Sequence, residues 1–172
     1  MGLDLRSVVF IPVLAQMKMR AGSLRNVKRF KRCGIEGWFK VEVVAALSER
    51  VLAICNKDPD LLLSDGTGLE LKAATDFNRG YFLEPLKKYR APCLFLGDGS
   101  RHKSFPTSDH DDFEVIGYEA FSDGTGQWVV GLVSPGRSQD QPWPHPGPAA
   151  TVLGESPPGL DVVQGVLKKP TD

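Results

Sequence analysis

The chain has 172 residues, of which 41% are apolar and 24% charged, with no net charge. This composition excludes a disordered polyelectrolyte and a membrane-embedded protein, and it suits one globular domain with some trailing sequence. The neutrality hides an asymmetry, because residues 1–40 contain nine Lys or Arg against only Asp4 and Glu36, leaving an acidic remainder.

Residues 1–33 read as a basic N-terminal arm. Arg25, Lys28, Arg29, Lys31 and Arg32 cluster near its end. Such a segment suits a polyphosphate partner, since phosphate contacts release counterions; it equally suits a solvated helix face. The apolar run at residues 8–15 is too short to span a bilayer. Asp4 before it, Pro12 within it and the basic MKMR after it argue against reading it as a signal peptide. It is expected to form an interface or a supporting layer. Cys33, Cys55 and Cys93 are odd in number and widely spaced, which predicts reduced structural thiols and a cytoplasmic setting.

Residues 34–134 read as the folded domain. Apolar residues at three- and four-residue spacing predict a helix over 35–51. LAIC, DLLL and LELKAA then read as three short strands, the last two joined by the pentapeptide SDGTG at 64–68. Its Asp-Gly dipeptide is a reversal signal, because glycine adopts positive φ without steric cost. Residues 79–90 place Phe82, Leu86 and Tyr89 near one helical face, with Pro85 tolerated early in the helix. Pro92 ends that helix, and CLFLG at 93–97 reads as a buried strand. A polar loop over 98–112 precedes a second hairpin, with strands near 114–121 and 127–133 around a second SDGTG at 122–126. Residues 135–172 hold eight of the thirteen prolines and read as an extended tail.

Of the two SDGTG copies, the first stands between Pro59-Asp60 and Glu70-Leu71-Lys72. On a strand, Glu70 and Lys72 project to one face, and a hairpin at SDGTG folds Asp60 back beside them. Two carboxylates on neighbouring strands suit Mg²⁺, which retains several waters and takes phosphate oxygen. The metal lowers the pKa of a bound water and offsets charge on the phosphate, while Lys72 orients that water. A glutamate and a lysine two apart on a strand are also an ordinary surface pair. Asp58 shares the Asp60 face and is the second candidate.

Glu42 falls within the apolar stripe of the first predicted helix, where a carboxylate needs a partner. Solvent or an arginine is one answer. A metal-bound water beside Asp60 and Glu70 is the other, and it is the reading adopted.

In this order the helix with Glu42, the Pro59-Asp60 strand, the Glu70-Leu71-Lys72 strand, the second helix and the CLFLG strand resemble the PD-(D/E)xK, or restriction-endonuclease-like, nuclease superfamily over residues 34–97. The resemblance implies an α/β fold with an α-β-β-β-α-β core and a mixed central sheet, here extended by a C-terminal hairpin and a Pro-rich tail. It implies an Mg²⁺-dependent endonuclease, with Mn²⁺ as a substitute, in which Asp60 and Glu70 are metal ligands, Lys72 is the base or charge stabiliser and Glu42 is an auxiliary acid near the metal. The sequence after Lys72, AATDFNRG, lacks the Gln or Tyr of some branches and leaves the subfamily open.

The second SDGTG lacks such flanking groups, so both copies read as turns. The charged run SDHDD at 108–112, with His102 nearby, reads as a solvated loop rather than a metal site. Arg79, Lys87 and Lys88, together with the basic arm, form a plausible nucleic-acid footprint. DNA is the expected substrate and RNA the alternative, with a homodimer or a larger nucleic-acid-processing complex as the assembly and no membrane partner. The competing function class is a binding or assembly module that keeps the fold without turnover.

Overall fold

The structure is a computed structural model that describes residues 3–27, 32–55, 59–100, 105–110, 112–136, 150–152, 162–163 and 166–167. Residues 3–27 of the segment read as an arm are built into the body. A π-helical turn, Arg6–Phe10, runs into α1 (Ile11–Met19), followed by α2 (Ala21–Val27) and α3 (Arg32–Ala46). The widened turn, in which the Ile11 amide donates to the Arg6 carbonyl, stands directly before Pro12, which has no amide to donate and crowds the preceding turn. Val9, Val13 and Met17 recur at helical spacing and are fully buried with Phe10 and Leu24. The apolar run is therefore a supporting layer, and residue 33 separates no independent unit: the helices before it share one core with Ile35, Phe39 and Val43 of α3.

Among the described residues nine strands follow. Seven form one mixed sheet in the order β5-β6-β4-β3-β2-β1-β7. β1 (Val51–Cys55), β2 (Leu61–Leu63) and β3 (Gly68–Ala74) make an antiparallel meander. α4 (Gly80–Tyr89) then crosses over to β4 (Cys93–Asp98), which lies parallel to β3. The hairpin of β5 (Phe113–Ser122) and β6 (Gln127–Pro135) joins the sheet through β6 and β4, antiparallel. The chain is thus an α/β protein with a mixed sheet. Its first predicted helix ends at Ala46 rather than 51, because Val51 is drawn into pairing with Leu63. The tail contributes β7 (Ala150–Val152), which pairs with β1, and a small hairpin of β8 (Val162–Val163) and β9 (Val166–Leu167).

The sheet buries both faces. Leu69, Leu71, Ala73, Leu94 and Leu96 pack with the N-terminal helices. Phe95, Val129 and Val133 pack with Phe82 and Leu86 of α4 and with Phe77 and Phe105. Burial on both sides explains why β3 and β4 lack a simple apolar–polar alternation.

Gly131 lies opposite Phe95, and a Cβ there would come within 2.2 Å of the Phe95 ring. Gly131→Ala is therefore expected to overpack this face at a cost of about 2 kcal/mol. Thermal unfolding should show Tm lower by roughly 4–8 °C, and a Phe95→Leu background should recover part of the loss.

Candidate active site

The first SDGTG closes the β2–β3 reversal. Gly66 has φ 92°, and Asp65 accepts hydrogen bonds from the Thr67 amide and hydroxyl, both at 2.9 Å. The register then pairs Leu62 with Gly68 and Leu61 with Leu69. Continued by one step, it brings Asp60 level with Glu70.

At that point the backbone ladder gives way to a side chain. Asp60 Oδ2 accepts the Leu71 amide at 2.8 Å, so the aspartate carboxylate takes the place of a β2 carbonyl at the amide between Glu70 and Lys72. Because a strand amide points within the sheet toward its neighbour, the carboxylate lies between β2 and β3. Asp60 Oδ1 faces Lys40 Nζ of α3 at 3.5 Å.

Glu70 and Lys72 project to the α4 face of β3, level with Cys93 and Phe95 of the parallel neighbour. Glu70 is fully buried. On the same face two residues earlier is Gly68, where a Cβ would meet Pro59 Cγ at 2.5 Å. The second glycine of the pentapeptide thus makes room for the proline that precedes Asp60, a role that the turn motif alone does not reveal.

Two thiols flank the acids. The Cys55 amide donates to the Asp60 carbonyl at 2.8 Å, and Cys93 pairs with Glu70, so Cys55 of β1, Asp60 directly before β2, Glu70 of β3 and Cys93 of β4 lie in one row. Burial, reinforced by Asp60 and Glu70 against the opposing Lys40, pushes the Cys55 thiol up to about 11. Burial foremost, with Glu70 and Asp60 acting against Lys72, pushes Cys93 well above its ordinary range. Both thiols therefore stay protonated at neutral pH.

Glu42 does not join them. Its Oε1 accepts from Gln16 Nε2 at 2.7 Å and faces Arg20 Nε at 3.3 Å. The reason is angular. At about 100° per residue, Glu42 lies on one flank of the Ile35, Phe39, Val43 stripe, while Lys40 and Glu36 lie on the other. The flank with Glu42 meets α1, and the flank with Lys40 meets Asp60. Lys40 is the residue that sequence reasoning missed; its signal was its place opposite Glu42 across the stripe. Glu36, one turn earlier, shares the Lys40 side.

Asp58, His102, Asp111, Lys28, Arg29 and Lys31 lie outside the described residues. Arg32 opens α3. Arg25 lies over the second turn, its Nη1 3.3 Å from where a Gly124 Cβ would stand. On and before α4, Arg79 stacks over Phe82 and Phe113, Lys87 faces Asp112 at 3.7 Å, and Lys88 lies over Tyr89. Other N-terminal basic groups are spent internally: Lys18 pairs with Glu119 at 2.9 Å and Arg6 donates to the Ile116 carbonyl.

Among the described residues, no three or more His, Cys, Asp or Glu side chains form a group that could hold a metal ion. Two carboxylates on adjacent strands are nonetheless the donor type through which Mg²⁺ commonly binds, together with waters and substrate phosphates. The donor set is hard oxygen, with the flanking thiols held protonated. Among the described residues no helix is long and apolar enough to cross a membrane. Comparison with protein-family models, curated proteins and solved structures gives no match.

Proposed function

We propose that this chain is a restriction-endonuclease-like nuclease that hydrolyses phosphodiester bonds, with DNA as its substrate, in a cytoplasmic setting. The observation that carries this reading is the Asp60 carboxylate seated on the Leu71 amide, between Glu70 and Lys72. The element order α3-β1-β2-β3-α4-β4, with β3 and β4 parallel, supports it.

Asp60 and Glu70 would hold the metal. Bound Mg²⁺ would supply a water of lowered pKa and positive charge for the phosphate oxygens. Lys72, on the Glu70 face, orients the attacking water and offsets charge on the phosphate. The Leu71 amide and Lys40 keep Asp60 aimed, and the covering of Glu70 shields its carboxylate from bulk water. Arg79, Lys87 and Lys88 stand on the α4 side of the sheet, as Glu70 and Lys72 do, where they can meet a phosphate backbone. One such site cuts one strand, so a homodimer, or a larger complex, suits double-strand cleavage. RNA is the alternative substrate.

Supercoiled plasmid incubated with the purified full chain should be nicked in Mg²⁺ or Mn²⁺, and EDTA should abolish the nicking. Equal cutting in EDTA overturns the metal mechanism. A second reading, a nucleic-acid-binding module without turnover, draws support from the Lys40 contact to Asp60 and from the engagement of Glu42 by Gln16 and Arg20. Duplex binding with no cutting in either metal favours it.

A further inference from the structure

The two oxygens of Asp60 are not equivalent. Oδ2 is committed to the Leu71 amide, so Oδ1 is the atom left for a cation, and Lys40 Nζ stands there at 3.5 Å. Charge-assisted N–H···O bonds run about 2.7–2.9 Å, so this contact is long. Both side chains reach water, Lys40 at 33% and Asp60 at 26% exposure, and ion pairs in such surroundings are worth little and exchange readily. Lys40 enters from α3, and the β2–β3 register, continued by one step, brings Asp60 level with Glu70.

We propose that Lys40 is a positioning residue that competes for the cation site. Its ammonium neutralises Asp60 Oδ1 in the metal-free protein, yields that oxygen to the divalent ion, and then serves the phosphodiester backbone. This rests on the nuclease reading above. It accounts for a cation beside a metal-ligand carboxylate without making the site a dead salt bridge, and it makes metal loading and phosphate binding linked events.

The test uses the full chain and measures binding rather than turnover. Mn²⁺ affinity is measured by calorimetry and by electron paramagnetic resonance, and affinity for a short duplex in Ca²⁺ across a salt series. Lys40→Met should bind Mn²⁺ about fivefold more tightly, because the competing ion pair is gone. It should bind the duplex more weakly, with a salt slope smaller by about one charge. Lys40→Arg should restore both values, and Lys40→Gln should repeat the methionine result if that variant folds poorly. A merely structural role would weaken both affinities together. Unchanged or weaker Mn²⁺ binding in Lys40→Met and Lys40→Gln, with tight binding by the wild type, overturns this inference alone. An unchanged salt slope overturns the backbone role. If the wild type and both variants fail to bind Mn²⁺ at millimolar concentration, the metal reading itself falls and takes this inference with it.

Discussion

On the proposed nuclease mechanism, Lys72→Met is expected to slow Mg²⁺-dependent plasmid nicking by about a thousandfold, the scale on which a lost charge stabiliser or proton-transfer group acts. The fold should survive. Lys72 is only partly buried, and methionine keeps its apolar stem on the face shared with Phe95. On the proposed mechanism Glu70→Gln should be as inactive for a different reason: it preserves shape in a fully buried position but replaces the carboxylate proposed to hold the metal. Tm in both variants should stay within roughly 4 °C of the wild type, corresponding to about 1 kcal/mol. Nicking by either variant at more than a tenth of the wild-type rate, in a preparation free of contaminating nuclease, would remove Glu70 and Lys72 from the chemistry.

The second large effect concerns the other copy of SDGTG and stability rather than activity. Asp123 is 3% exposed and accepts four hydrogen bonds: from the Thr125 amide and hydroxyl, from the Gly126 amide and from Trp128 Nε1, each at 2.8 Å. Asp123→Ala removes a buried charged acceptor from under the fully buried Trp128, at an expected cost of about 3 kcal/mol. Tm should fall by roughly 6–12 °C. Asp65→Ala in the first copy should cost less than about 1 kcal/mol, since its carboxylate is exposed and, among the described residues, bonds Thr67 alone.

The same group gives a pH signature. Burial pushes the Asp123 carboxyl up, but the bonds from Trp128, Thr125 and Gly126 outweigh it and hold the group well below the usual carboxylate range. A depressed folded pKa contributes stability that is present above the unfolded value and is lost as pH falls toward the folded one. Denaturant unfolding below about pH 4 should therefore weaken the wild type more steeply than Asp123→Ala. Equal slopes would mean that Asp123 contributes nothing through its charge.

The two copies show how far a motif carries. Asp-Gly marks a reversal at both places, and Gly66 and Gly124 do take positive φ. Yet in one copy the last glycine receives Pro59, and in the other the aspartate anchors a tryptophan 5 residues on. Neither partner is visible within the pentapeptide. Glu42 gives the same lesson on a helix. Its nearness to the apolar stripe was legible, and so was its need for a partner, but the partner proved to be Gln16 with Arg20, because α1 covers that flank. The basic arm was legible as charge and not as structure: Val9, Phe10, Val13 and Met17 are buried by a sheet whose strands come later in the chain.

By itself the sequence determined what depends on local periodicity. The succession of helix, three strands, helix and strand, the shared face of Glu70 and Lys72, and the chain reversal at Gly66 follow from the 3.6- and 2-residue repeats and from backbone sterics. Tertiary structure decided what depends on which surfaces meet. It seated Asp60 on the Leu71 amide, turned Lys40 toward Asp60 and Glu42 toward α1, and fitted Pro59 over Gly68. Local rules say where a side chain points along its own element, whereas its partner is chosen by packing among segments distant in the chain, which no short window of sequence contains.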